Sequence, residues 1–170
     1  MKEQKIKNKK GFSLVESVLY IGLAAFLLAS LGTLVNLSYK VRARQQVIAE
    51  VEQQGLAASQ TISQIIRNAS SITSPAVGSS AATVVVVVSD VSKTPTTFAL
   101  SGSNLQITQN TTSTILTNSQ VTVSALSFKN LSATGSPGTI KFQFTLNYTN
   151  PGGTPQFTYS KTFYGSASLR

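Results

Sequence analysis

The hydrophobic positions fall into three regimes along the chain. From Ser17 to Tyr39 there is no charged residue and most positions are apolar. At ~1.5 Å per residue this run makes roughly 35 Å of helix, enough for a hydrocarbon core of about 30 Å. The chain then continues without proline into VRARQQVIAEVEQQGLAASQTISQIIRNASSI, where Ile48, Val51, Gly55, Ala58, Ile62, Ile65, Ala69 and Ile72 recur at three- and four-residue steps. That is one stripe of an amphipathic helix, and it predicts a single helix from Phe12 to Ile72. Gly55 and Ala58 make the stripe shallow, so another backbone is expected to come close there.

From Ser74 the period changes to two. TVVVVVS (Thr83–Ser89) is a β-branched run that predicts a central strand. TFALSGSNLQITQ (Thr97–Gln109) predicts a hairpin turning at Ser101–Asn104. Val121 and Val123 alternate, then Leu126 and Phe128 alternate in the opposite phase, which predicts a bulge near Ala125. TIKFQFTLNYT (Thr139–Thr149) puts Ile140, Phe142, Phe144, Leu146 and Tyr148 on one face. After the turn NPGGTP, Gln156–Tyr164 answers with Phe157, Tyr159 and Phe163 on one face. An antiparallel sheet with one wet side follows, its dry side covered by the helical stripe. The expected class is α+β, a long N-terminal helix packed on a C-terminal antiparallel β domain.

Composition narrows the chemistry. The 170 residues hold no Cys and no His, which removes disulfides, thiolate sites and the usual general base and zinc ligand. The acids are Glu3, Glu16, Glu50, Glu52 and Asp90. Only Glu50 and Glu52 are close in sequence, and an i,i+2 pair points to different sides of a helix. No nucleophile–base set emerges, so an enzyme is not expected, nor is any cofactor or metal. The formal charge of +9 is concentrated: Lys2, Lys5, Lys7, Lys9 and Lys10, with Glu3, give +4 within the first ten residues. Lysines ahead of the apolar run place the N-terminus on the cytoplasmic side, against the weaker opposing vote of Lys40, Arg42 and Arg44. Those three read as a solvated flank. Arg67, Lys129, Lys141 and Lys161 are scattered, with no dense basic cluster, so nucleic acid is not an expected partner. The sequons at Asn68, Asn110, Asn130 and Asn147 reflect Ser/Thr richness.

One short stretch carries more. KKGFSLVE (Lys9–Glu16) sets basic residues, Gly11, Phe12, Ser13, Leu14, Val15 and Glu16 directly before the apolar run. This order resembles the N-terminal signature of type IV prepilins and of the pseudopilins of type II secretion. The resemblance implies that a prepilin peptidase cuts between Gly11 and Phe12 and N-methylates the new amine of Phe12. It implies residence in the cytoplasmic (inner) membrane as a single-pass chain, then extraction by an inner-membrane assembly platform into an extracytoplasmic filament. Partners would be the lipid bilayer and other pilin or pseudopilin subunits. Glu16 would form an assembly charge pair with the Phe12 amine of a neighbouring subunit. A carboxylate at a helix centre in lipid costs roughly 2.5–3.5 kcal/mol, and less near an end. Breaking a poorly solvated pair by removing one partner costs about 3–5 kcal/mol. Without the resemblance, Glu16 reads as a carboxylate favoured at a helix N-terminus.

The expected organisation is a leader at 1–11, a membrane half at 12–39, an amphipathic half at 40–74 and the β domain at 75–170. No proline precedes Pro75 and no cysteine occurs, unlike many pilins; Asp90 alone is inadequate for the calcium loop common in major pseudopilins. The architecture looks more like the minor J-type pseudopilins and W-type minor pilins, which implies a place in a tip or initiation complex. Two alternatives stand beside this. One is a ligand- or DNA-binding pilin for adhesion or DNA uptake. The other is an uncleaved membrane-anchored β domain; against a cleaved secretory signal, the apolar run is too long.

Overall fold

The computed structural model describes residues 11, 13–133, 135, 137–150 and 152–170. The chain is α+β and divides into two compact units, Met1–Arg42 and Ala43–Arg170. Helix α1 (Leu14–Arg67) contributes to both. In the first unit it is the principal described element. In the second, its C-terminal part packs on nine antiparallel strands: β1 (Ala69–Ser74), β2 (Ser80–Ala81), β3 (Val84–Val88), β4 (Thr96–Ser101), β5 (Asn104–Gln109), β6 (Thr112–Ile115), β7 (Val121–Asn130), β8 (Thr139–Tyr148) and β9 (Ser160–Ser168).

The helix stops at Arg67, not Ile72, and the segment assigned to its end is β1. Ser70, Ser71, Thr73 and Ser74 offer the backbone side-chain hydrogen bonds that compete with a helix, and Pro75 holds its predecessor extended. The Ala69-to-Ile72 spacing of three looked helical because β1 is bulged. Its pairing with β3 slips between Ala69 and Ser71 and again between Ile72 and Ser74. A bulge adds one residue to a two-residue period. The amphipathic half therefore ends seven residues short of the expected boundary at 74.

The strands form two sheets rather than one. The first has the order β1-β3-β4-β5-β6 and the second β2-β7-β8-β9. The valine run is an interior strand, paired on both sides by β1 and β4. The β4–β5 hairpin closes with Ser101 opposite Asn104, and Gly102 at φ 61° supplies the positive φ its two-residue turn requires. The bulge in β7 falls where the sequence placed it: Ala125 has φ 51° and the register slips between Ser124 and Ser127. That slip keeps Val123 and Leu126 on the buried face. The last strand begins at Ser160, not Gln156. Pro155 starts a 3-10 turn over Pro155–Phe157, which takes Phe157 out of the strand and lets β9 run on to Ser168.

Both sheets and the helix share one core. On α1 the buried positions are Val47, Val51, Gly55, Ala58, Ile62 and Ile66. The stripe thus centres on Val47 and Ile66 instead of their neighbours Ile48 and Ile65. A ladder of rings crosses the core, Phe98–Phe128–Phe142–Phe144–Phe163, with centroids 6.5, 6.5, 6.4 and 5.5 Å apart. The close approach at Gly55 is made by the last ring of that ladder and not by a backbone: a Cβ at Gly55 would collide with Phe163. Polar links fix the helix at its flanks. Asn118 Nδ2 donates to Glu50 Oε1 at 2.6 Å, and Lys161 Nζ meets Glu52 Oε1 at 2.7 Å. The two carboxylates serve different sides of the helix, as their spacing requires. The hydrogen bond to Glu52 raises the Lys161 pKa. Asp90 is lowered by the hydroxyl of Ser92 and then by Lys93, which together close the 3-10 turn Val91–Lys93.

Candidate functional site

Of the residues singled out by the sequence, Glu16 lies in the first turn of α1. Gly11 is exposed and precedes the helix. The leader, Met1–Lys10, and Phe12, the expected site of cleavage and methylation, lie outside the described residues. Ser13 accepts the N–H of Ser17 through its carbonyl at 3.1 Å and so begins the helical hydrogen-bond series. Glu16 stands in the first turn, where the unpaired N–H groups of a helix favour a negative side chain. Tyr20, one turn on, points its hydroxyl at Glu16 Oε1 at 3.4 Å. Among the described residues no lysine or arginine pairs with this carboxylate.

Behind Glu16 the helix surface is apolar all round. From Leu14 to Val41 every large apolar side chain is at least 48% exposed. The richest stretch has mean hydropathy 2.2 and none of it is buried within the protein. This is a candidate membrane span. Two of its hydroxyls are satisfied internally: Ser30 donates to Leu27 O at 2.8 Å and Thr33 to Ser30 O at 2.7 Å. Internal satisfaction of polar groups is what an apolar solvent demands.

The β domain offers a different chemistry. No group of three metal-ligating side chains occurs among the described residues. The structure brings together two cations that sequence reading left scattered. Lys129 and Lys141 are directly opposed across β7 and β8, on the exposed face. Sequence spacing alone could not show this, because the bulge at Ala125 sets that register. Of the four sequons, Asn130 is buried, with Nδ2 donating to Pro75 O at 2.8 Å, and cannot present a glycan.

Comparison with protein-family models, with curated proteins and with solved structures gives no match. The functional reading therefore rests on the chain itself.

Proposed function

We propose that this chain is a structural subunit of a type IV pilus or of a type II secretion-like filament, of the minor kind that enters a tip or initiation complex. Prepilin peptidase would cut after Gly11, and the apolar part of α1 would hold the subunit in the cytoplasmic membrane and later in the filament core. One observation carries the reading. The KKGFSLVE signature leads straight into an apolar helix that nothing in the described protein covers, and the same helix then becomes the spine of a packed β domain. Glu16, in the first turn of α1, would pair with the new amine of a neighbouring subunit. The wet side of the domain provides surfaces rather than a reaction centre.

The test is intact mass and N-terminal sequence of the protein from membranes of cells with and without prepilin peptidase. A chain starting at methylated Phe12 only when the peptidase is present supports the reading. A chain that keeps Met1–Gly11 in both strains sinks it and leaves an anchored β domain. Glu16→Ala should then abolish assembly, because the partner amine is left unpaired at a cost of about 3–5 kcal/mol. The cleaved, monomeric protein should still accumulate in the membrane.

A further inference from the structure

The two sheets end in four edge strands, and three are closed to further pairing. β2 is two residues long, β6 is four, and β1 carries two bulges. Short strands and bulges are how edges are kept from accepting another chain. β9 has neither device. It runs nine residues without proline, and its register with β8 has no slip.

The hydrogen-bond phase of β9 follows from its two ends. Leu169 N–H donates to Gly138 O at 2.8 Å, and Tyr159 O accepts from Tyr148 N at 2.9 Å. Odd-numbered residues therefore turn their backbone groups to β8. Those of Ser160, Thr162, Tyr164, Ser166 and Ser168 turn to the open edge. The side chains of these five are exposed and uncharged. Lys161, the only charged residue of the strand, is engaged by Glu52. Nothing along the edge repels an incoming strand.

A cleft of about 880 Å³ lies between the second half of this edge and the last turns of α1, with Ser59, Ser63 and Arg67 on one wall and Tyr164, Ser166 and Ser168 on the other. No Asp or Glu side chain lines it. Ser59 Oγ is shielded from solvent and has no hydrogen-bond partner among the described residues. Arg67 and Arg170 line the same cleft, and neither has a carboxylate side chain as partner among the described residues.

We propose that the β9 edge and this cleft form a strand-addition site for an extended, acidic segment of a partner protein chain. The segment hydrogen-bonds through its main chain to the even-numbered residues of β9, as in β-augmentation. Its carboxylates meet Arg67 and Arg170. The site lies within the second unit and does not depend on the filament reading, so Glu16→Ala leaves it intact.

The test uses the full chain in detergent and the peptide acetyl-Thr-Val-Thr-Val-Asp-Val-Asp-amide, followed by amide hydrogen exchange and by binding titration. Saturable protection of the amides at Tyr164, Ser166 and Ser168 is expected. Methylating alternate amides of the peptide should remove the protection, and replacing both Asp by Asn should weaken binding about tenfold. Ser166→Pro removes an N–H that β8 does not use, and it should abolish binding while the unfolding transition stays in place. Ser166→Asp guards against a folding defect in the proline variant: it sets a like charge beside the acidic segment and should also weaken binding. The proposal falls if the peptide gives no protection at about 1 mM. It also falls if Ser166→Asp binds as well as the parent. Equal binding of the N-methylated peptide would mean that the arginines hold an anion without strand addition, and would overturn it too.

Discussion

The two ends of α1 are built from similar apolar residues and meet opposite fates. Ile62 is fully buried beneath the sheets, whereas Leu28 is 69% exposed. Past Ala43 the buried apolar positions lie along one stripe that the β domain covers, with Leu56 exposed outside it. Before Arg42 apolar positions occupy every side, and no described residue covers them. Burying one large apolar side chain stabilises by about 1.5–3 kcal/mol. The C-terminal part obtains that energy within the chain. The N-terminal part obtains none of it from the described residues. A helix buried on one stripe specifies a fold; a helix apolar all round specifies a solvent.

If this contrast is right, substitutions in the two regions move different observables. The largest effect belongs to the packed unit. Phe144 is fully buried between the rings of Phe142 and Phe163. Phe144→Ala should cost about 3–5 kcal/mol in chemical unfolding and leave membrane partition unchanged. Leu28→Arg is the reciprocal experiment. It should raise the apparent insertion free energy by about 3 kcal/mol, measured by glycosylation mapping or membrane fractionation. The unfolding midpoint of the β domain should not move. Either variant shifting both observables would show that the two regions are not energetically separate.

The sequence revealed what depends on local period and hid what depends on register. The apolar run, the amphipathic stripe, the β4–β5 hairpin and β8 were legible because each keeps one period over its length. The bulge at Ala125 was legible because the apolar residues on both sides change phase visibly. In β1 two bulges within six residues turned a strand into an apparent helical continuation. β6 (Thr112–Ile115) is exposed at every position, so it has no apolar signature at all. The division into two sheets was hidden for a related reason. It depends on which strands pair over long separations, and neither composition nor alternation reports that. The opposed lysines and the open β9 edge are both consequences of register, and so appear only in the structure.

A smaller effect sharpens the account of the helix–sheet contact. Gly55 is the point where α1 accepts the Phe163 ring, and any Cβ there collides with it. Gly55→Val should cost about 1–3 kcal/mol through overpacking, despite the better helix propensity of the new residue. The measurement is the unfolding midpoint of the variant beside that of Gly22→Val. A Cβ at Gly22 meets nothing within 4 Å. Gly22 lies in the separate apolar region, so Gly22→Val should leave the midpoint in place, and a midpoint that Gly55→Val leaves unchanged or raises would mean that propensity, not packing, decides at Gly55.

The smallest effect tests the outer face of the second sheet. Lys129 and Lys141 oppose each other on adjacent strands, and like charges in that position repel. Lys141→Glu turns the pair into an attractive one and should stabilise the domain by about 0.2–1 kcal/mol. Both side chains lie on the solvated face, so the gain must shrink as salt rises and the Debye length falls to about 3 Å at 1 M. Lys141→Gln separates the two contributions. It removes the repulsion without adding an attraction, and its gain should be the smaller of the two. A stabilisation that is the same for Glu and Gln and unchanged by salt would place the effect in strand propensity, and the cross-strand charge contact would then contribute nothing.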